Sequence, residues 1–364
     1  MLRSSNLPRQ VRNCPEPHVE GGAVPKIIGE YIDRLCTIEM RPGDGNLPRG
    51  LVHRLYAVAR RDGEPPLTLQ MAEAIVANVG SGDTVFLLTG AGGPPVLPSG
   101  EIDGLLGAAA LARALTLILD ARVVILTEER VEHPLSAACR AAGLNFRYAA
   151  DEPTANSVVF IPMSLDADEC EAQAPGLIEH YAPSAVIAIE KLSPNKKGVI
   201  HGSTGLSYDA NHAKPQFLFD EAQKGGILTA GIGDGGNEVG FGSIAEDVSD
   251  IIPTGRVCRC PCGGGATARV PADHLMVAAI SNWGAYGVAA MITYLTRTPA
   301  SELITEDDLD RMLRACVDGG ALDGAFARPL LSDDGVPLET HRCFITMLRS
   351  IVAIGESSLS SPGH

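Results

Sequence analysis

From Thr84 onward the chain alternates short apolar runs with longer stretches of helical periodicity. "TVFLLTG" (84–90) is an apolar run closed by Gly, as a buried parallel strand would be. "DGLLGAAALARALTLIL" (103–119) then carries apolar residues at helical spacing. "RVVILTE", "SVVFIPM", "SAVIAIE", "GILTAGIG" and "HLMVAAISN" read as further strands. "PLSAACRAAG", "ECEAQAPGLIEHY", "QFLFDEAQKG" and "GAYGVAAMITYLTR" read as helices, with Gly143 as the residue that closes the first. This alternation predicts an α/β fold: a mostly parallel sheet with helices on both faces. Two more helices are expected, one in "TEDDLDRMLRACVDGG" starting at the N-cap Thr305, and one in "LETHRCFITMLRSIVAIGE". Upstream, residues 1–50 form a Pro-, Gly- and Arg-rich N-terminal arm with one short helix, "PKIIGEYIDRLCTIE", expected to pack on the main body. "PPLTLQMAEAIVANV" is an amphipathic helix. The expected organisation is that arm, a single α/β domain over 51–355 (two lobes as the alternative) and a disordered tail over 356–364, with no internal repeat.

Composition narrows the function classes. The 364 residues are 45% apolar but only 4% aromatic, with 40 glycines, which favours tight helix–sheet packing. The formal charge of −15 disfavours nucleic acid and anionic membranes as partners. It leaves room for an anionic small molecule, because a local cation reverses the sign inside a cleft. No apolar run approaches the roughly 18 residues of a membrane span. Nine irregularly spaced cysteines in a long chain indicate reduced thiols and a cytoplasmic location. The opening "MLRSSNLPRQVRNCPEP", with Arg3, Arg9 and Arg12 and no acid before Glu16, gives the alternative of a transit peptide and the mitochondrial matrix; a loose tail is the preferred reading.

Candidate chemistry follows from the strand ends. In open parallel sheets, ligands bind beyond the carboxyl ends of the strands. After "TVFLLTG" comes "EIDG" with Glu101 and Asp103. "SAVIAIE" ends in Glu190 and is followed by Lys191. "GILTAGIG" runs into "DGGNE" with Asp234, Gly235, Gly236, Asn237 and Glu238. "HLMVAAIS" leads to Asn282 and Trp283, the sole Trp. Acids and amides at four strand ends predict one acidic site. Carboxylates that close repel, so either some hold protons or a cation neutralises them. Their hard oxygens suit Mg²⁺ or Mn²⁺, with Glu101, Asp103, Asp234 and Glu238 as the candidate ligands. Helix capping is the competing role for Asp103 and Asp234.

Other motifs add less. "GIGDGG" contains G-x-G-x-x-G (Gly231, Gly233, Gly236), but Asp234 and Glu238 carry the wrong charge for a phosphate and no acid-ended strand follows at the usual spacing. Cys258, Cys260 and Cys262 in "CRCPCGGG" lack the C-x₂-C spacing of a zinc ribbon. No fourth ligand nearby is evident, so they are read as reduced cysteines in a loop. His201, in the long aperiodic stretch 195–214, is the best acid/base candidate among the histidines and is read first as a surface or substrate-contact residue. Lys191 is expected to pair with Glu190. Asp323-Gly324 and Asp334-Gly335 are read as turns.

Together, "EIDGLLGAAALARAL", "AIEK", "GIGDGGNEVGFG", "ISNWGAYG" and "GALDG" resemble the D-glutamate cyclase family, in particular its C-terminal cyclase domain, over about residues 31–355. The chain is similar to the stand-alone microbial type, whereas animal members add a hydratase-like N-terminal region. "CRCPCGGG" departs from the animal pattern. The resemblance implies conversion of D-glutamate to 5-oxo-D-proline (pyroglutamate) and water, a lyase reaction on a small amino-acid substrate, with homo-oligomerisation left open. On that reading a Mg²⁺ or Mn²⁺ at the acids polarises the γ-carboxylate, with Glu238 and Asp234 among the catalytic groups. Glu190 is the general base. Asn237, Asn282, Gly235, Gly236 and His201 contact substrate, and Trp283 walls the cavity. Two other readings use the same acids: a Mg/Mn-dependent phosphatase-like hydrolase, with Lys196 and Lys197 as the nearest phosphate clamp, or a metal- or amino-acid-binding protein without turnover.

Overall fold

The computed structural model describes residues 24–43, 47–149 and 154–360. The Arg-containing opening segment lies outside them. In chain order come α1 (Val24–Cys36), α2 (Leu51–Arg60), α3 (Leu67–Asn78), β1 (Thr84–Thr89), α4 (Leu105–Ile118), β2 (Arg122–Glu128), α5 (Glu132–Ala141), β3 (Asn145–Tyr148), β4 (Ser157–Met163), α6 (Ala167–Tyr181) and β5 (Pro183–Ile189). Then follow α7 (Pro215–Lys224), β6 (Leu228–Gly233), α8 (Ala245–Ile251), β7 (His274–Val277), α9 (Ser281–Leu295), α10 (Glu306–Asp318), the two-residue strands β8 (Ser332–Asp333) and β9 (Val336–Pro337), and α11 (Leu338–Ser360).

Strands β1 to β7 form one all-parallel sheet in the order β3-β4-β2-β1-β5-β6-β7. Successive residues of a strand point to opposite faces. Val85 and Leu87 of β1 enter one core with α1–α5 and α9–α11, while Phe86 and Leu88 enter the other with α6 and α7. Both faces are therefore covered, which explains why the strands read as unbroken apolar runs. Helix α9 is buried along nearly its whole length and packs against α3, α4 and α11. A helix apolar all round belongs in a core. Thr305 and Asp308 form a reciprocal capping box at the start of α10.

Several elements differ from expectation. Helix α2 and the short edge strand β3 fall where no element is predicted. The apolar run "HLMVAAIS" is strand only as far as Val277, and Ser281 and Asn282 open α9 instead of ending β7. Helix α11 runs to Ser360, into the segment read as a tail.

The sheet order places the site. β1 lies between β2 and β5, so the chain winds outward in both directions from it. The crevice beyond the carboxyl ends of β1 and β5 is the switch point, where such sheets bind ligands. Glu101 and Asp103 follow β1, and Glu190 follows β5.

Candidate active site

Six segments converge at the switch point. The loop after β1 brings Glu101 and Asp103, the end of β5 brings Glu190, and the glycine loop after β6 brings Asp234 and Glu238. The β8–β9 hairpin adds Asp333 and Asp334, the first turn of α9 adds Ser281 and Asn282, and the segment after α1 adds Arg41. Two groups of carboxylate oxygens lie within 4.8 Å of one another: Asp103, Asp234 and Asp334, and Glu190, Asp234 and Glu238. Asp234 belongs to both. Glu101 and Asp334 both crowd Gly324, where a β-carbon would stand 2.4 Å from Glu101 Oε2 and 2.9 Å from Asp334 Oδ1. These two are the half-buried members, so the cluster meets solvent on their side. The deeper acids Asp103, Glu190, Asp234 and Glu238 are all buried.

Each carboxylate is held by specific donors. Asp103 Oδ2 accepts from the Ser281 amide (2.9 Å) and Oδ1 from the Asn282 amide (2.7 Å), so it caps α9 rather than its own helix α4. Glu190 sits at φ 50°, a left-handed conformation costly for a side chain of its size, and Ser281 Oγ donates to its Oε2 at 2.5 Å. Gly104 permits this close approach. Its φ is 86°, and a β-carbon there would stand 2.7 Å from that of Glu190. Glu238 folds back on its own loop and accepts from the amides of Gly235 (3.0 Å) and Gly236 (2.8 Å). Arg41 is the cation paired with the cluster: Nη1 lies 2.6 Å from Asp234 Oδ2 and 3.4 Å from Asp334 Oδ2.

The electrostatics follow from burial and like charge. Burial pushes the Asp234 carboxyl up to about 6, with Arg41 opposing, and pushes Asp334 up to about 7, with Asp234 adding repulsion. Burial first and neighbouring carboxylates second hold Glu101, Asp103, Glu190 and Asp333 well above the usual range. Glu238 is also raised by burial, against the pull of its loop amides. Burial draws the Arg41 guanidinium down, but Asp234 and Asp334 reverse this and leave it raised. The cluster is thus a reservoir of shared protons or a seat for a cation. Its two groups of carboxylate oxygens are arranged so that they could hold a metal ion, and the buried Asp333 Oδ1 beside Asp334 has no hydrogen-bond partner among the described residues.

A family model described as D-glutamate cyclase-like, C-terminal, matches residues 61–349. The chain belongs to the D-glutamate cyclase-like family. It is also 40% identical over 79 residues to the human protein "D-glutamate cyclase, mitochondrial". That stretch is 21% of this chain and 12% of the human protein.

In this D-glutamate cyclase-like chain, several residues expected to meet substrate have other partners. Asn282 Oδ1 accepts from the Gly107 amide and its Nδ2 donates to Ile102 O (3.2 Å) and Asp333 Oδ2 (2.7 Å), so its amide ties α9 to α4 and to the hairpin. Trp283 stacks on Phe344 and donates to His341 Nδ1 (2.8 Å) in the helical core. The Gly235 and Gly236 amides serve Glu238. Asn237 donates to the carbonyl of His201 at 3.0 Å, while its own Oδ1 is buried without a partner among the described residues. The His201 ring turns away from the carboxylates toward Cys260 and Cys262. Lys191 pairs not with Glu190 but with Glu128, Nζ to Oε1 at 2.5 Å, both buried. Lys196 and Lys197 are exposed on the long loop.

Several participants escape a sequence reading, Arg41 and the hairpin acids Asp333 and Asp334 among them. Arg41 lies about 190 residues from the acid it pairs with, in the arm, and carries no local signal. Asp334-Gly335 is indeed a hairpin turn, with φ of 49° and 75°, but the same turn aims Asp334 at Asp234. Asp323 braces that hairpin by accepting from Ser332 Oγ (2.6 Å) and the Gly335 amide (2.9 Å).

The raised carboxyls fix the sign of a pH effect. Between the ordinary value of 3.8 and about 7, the folded chain holds protons on Asp234 and Asp334 that the unfolded chain has released. Stability without added cation therefore falls as pH rises through that window. Glu128 is depressed, with Lys191 outweighing its burial, so its contribution is lost only below about 4.5, while burial lowers His212, His274 and His341, which oppose the trend only below their ordinary value of 6.5. With chelator present, the unfolding temperature is expected to be higher near pH 6.5 than near pH 8. Mn²⁺ should raise it more at pH 8 than at pH 6.5. A chelated protein whose melting temperature rises across this range would contradict the assignment.

Proposed function

We propose that the chain is a D-glutamate cyclase-like lyase that converts D-glutamate to 5-oxo-D-proline and water, with a divalent cation assisting. The observation that carries the reading is the juxtaposition of a buried, proton-retaining carboxyl cluster with one guanidinium at the switch point of a family member. Substrate and site are complementary in charge. The Arg41 guanidinium, held by Asp234 and Asp334, lends positive charge to the side of the site that takes a substrate carboxylate. The substrate ammonium suits the acids.

Cyclisation forms one N–C bond and breaks one C–O bond, and the oxygen leaves as water. The ammonium must first lose a proton. Glu190 is the base in this scheme, because its raised affinity for protons lets it hold one near neutral pH, and Ser281 fixes its orientation. The freed amine attacks the γ-carbon within the same molecule, so holding the chain in a bent, near-attack form supplies much of the acceleration. After attack the nitrogen sheds its second proton to Glu238, and Glu190 and Glu238 each return one proton to the departing oxygen, which leaves as water. Glu238, fixed by its loop amides, is the second acid facing the ammonium. A cation held by Asp234 with Asp103 and Asp334, or with Glu190 and Glu238, supplies Lewis-acid polarisation of the γ-carboxyl group when bound. Glu101, beside Asp334 at the open side, is the ligand or gatepost nearest solvent.

The test is chiral chromatography of D-glutamate, L-glutamate and 5-oxoproline after incubation with the protein in Mg²⁺, Mn²⁺ or EDTA. Consumption of D-glutamate with matching 5-oxo-D-proline is expected, faster with cation than with chelator. Unchanged D-glutamate under every condition would overturn the reading. Full activity in EDTA would remove only the cation.

A further inference from the structure

The cysteines of "CRCPCGGG" lie apart from the carboxylate cluster and form a site of different chemistry. The segment between α8 and β7 has neither helix nor strand from 253 to 273. It closes on itself where the Ala266 amide meets Thr254 O at 2.9 Å. Inside this loop Cys258 Sγ stands 3.6 Å from Cys260 Sγ and 3.4 Å from Cys262 Sγ. His201 arrives from the long loop after β5, with Nε2 at 3.1 Å from Cys260 Sγ and 3.7 Å from Cys262 Sγ. The four donor atoms all lie within 4.8 Å of one another.

We propose that Cys258, Cys260, Cys262 and His201 bind one zinc ion as a structural Cys₃His site. A tetrahedral zinc with Zn–S of about 2.3 Å and Zn–N of about 2.0–2.1 Å has ligand–ligand edges of about 3.5–3.8 Å. The Cys258–Cys260, Cys258–Cys262 and Cys262–His201 separations of 3.6, 3.4 and 3.7 Å lie close to those edges, the Cys260–His201 separation of 3.1 Å is somewhat shorter, and all four atoms lie within 4.8 Å, whereas a disulfide brings two sulfurs to about 2.05 Å. The surroundings fit as well. Nδ1 of His201 lies 2.9 Å from Val199 O, which holds the N–H on that nitrogen and leaves the Nε2 lone pair facing the sulfurs. The Cys262 amide donates to Cys260 Sγ (3.4 Å), and the Gly264 amide (3.4 Å) and Asn195 Nδ2 (3.5 Å) donate to Cys262 Sγ. These bonds stabilise thiolates. Three soft thiolates and an imidazole in a closed, four-ligand arrangement select zinc and leave no open position for substrate.

The ion would act on the carboxylate site only through position. Asn237 Nδ2 reaches the carbonyl of His201, and the Ala268 amide donates to Gly236 O at 3.1 Å, so the His201 loop and the cysteine-bearing segment both hold the loop that carries Asp234 and Glu238. Sequence reading missed the site because the fourth ligand stands 57 residues before Cys258 and C-x-C-x-C is not a ribbon spacing.

The test is metal analysis of the full chain purified under reducing conditions, joined to zinc X-ray absorption. One zinc per chain is expected, with three sulfurs at about 2.3 Å and one nitrogen at about 2.0–2.1 Å. His201→Ala and Cys260→Ser should lose it, His201→Cys should keep it with four sulfurs, and Glu238→Gln should keep it unchanged. Because the wild-type spectrum alone reports the ligands, variants that fail to fold do not shield the proposal. A folded protein without zinc, iron or copper in its place, a Cys258–Cys262 disulfide, or zinc surrounded only by oxygen would each overturn it. None of these results depends on whether D-glutamate is turned over.

Discussion

Glu190→Gln is expected to lower kcat on D-glutamate by about 10²–10⁴-fold, the usual contribution of a positioned general acid or base, with KM little changed. The amide keeps the size of the side chain and an oxygen for Ser281 Oγ, so the geometry at φ 50° is retained. It cannot take the ammonium proton. The same substitution removes one of several buried like charges, so the chain should become more stable, by roughly 2 °C for each kcal/mol of repulsion relieved in a protein of this size. Loss of rate with a gain in stability separates a catalytic carboxylate from a structural one. Steady-state kinetics and a thermal melt of the same sample read both. Unchanged kcat would remove Glu190 from the chemistry.

Arg41→Ala should have the largest effect on stability. Arg41 is buried and compensates Asp234 directly and Asp334 at slightly longer range. Removing one partner of such a pair leaves uncompensated buried charge, which costs about 3–5 kcal/mol. The loss should be greatest near pH 8 and smaller near pH 5.5, where Asp234 and Asp334 retain protons. Arg41→Lys should fall between, because an ammonium restores charge but not the fork that reaches both Asp234 Oδ2 and its carbonyl. Chemical denaturation at the two pH values measures this, and a pH-independent loss would show that Arg41 acts by packing alone.

These residues also show what a sequence can disclose. The sheet was legible because both of its faces are buried, so β1, β2, β4, β5 and β6 stand out as apolar runs. "NFRY" was too short to announce β3. "HLMVAAIS" could not reveal where strand yields to helix, since the apolar run Leu275–Ile280 continues past the end of β7 and breaks only where α9 begins. Acids directly after strands were legible for the same topological reason: Glu101, Asp103, Glu190, Asp234 and Glu238 all follow β1, β5 or β6. Arg41 and Asp334 were not, because their role arises from long-range packing. The jobs of side chains within the site were hidden too. Asp103 and Asn282 lock α4 to α9, and Glu238 is tied to its own glycine loop, so that loop serves to fix an acid rather than to cradle a phosphate.

The central claim is that this cluster closes D-glutamate through its γ-carboxyl group. The most direct measurement uses D-glutamate carrying ¹⁸O in both γ-carboxyl oxygens and follows the products by mass spectrometry in ordinary water. The account predicts 5-oxo-D-proline with a single ¹⁸O in the ring carbonyl and the second label released to water, at a rate that collapses in Glu190→Gln. Recovery of all the D-glutamate with no ring product, from folded wild-type protein supplied with Mg²⁺ or Mn²⁺, would contradict it.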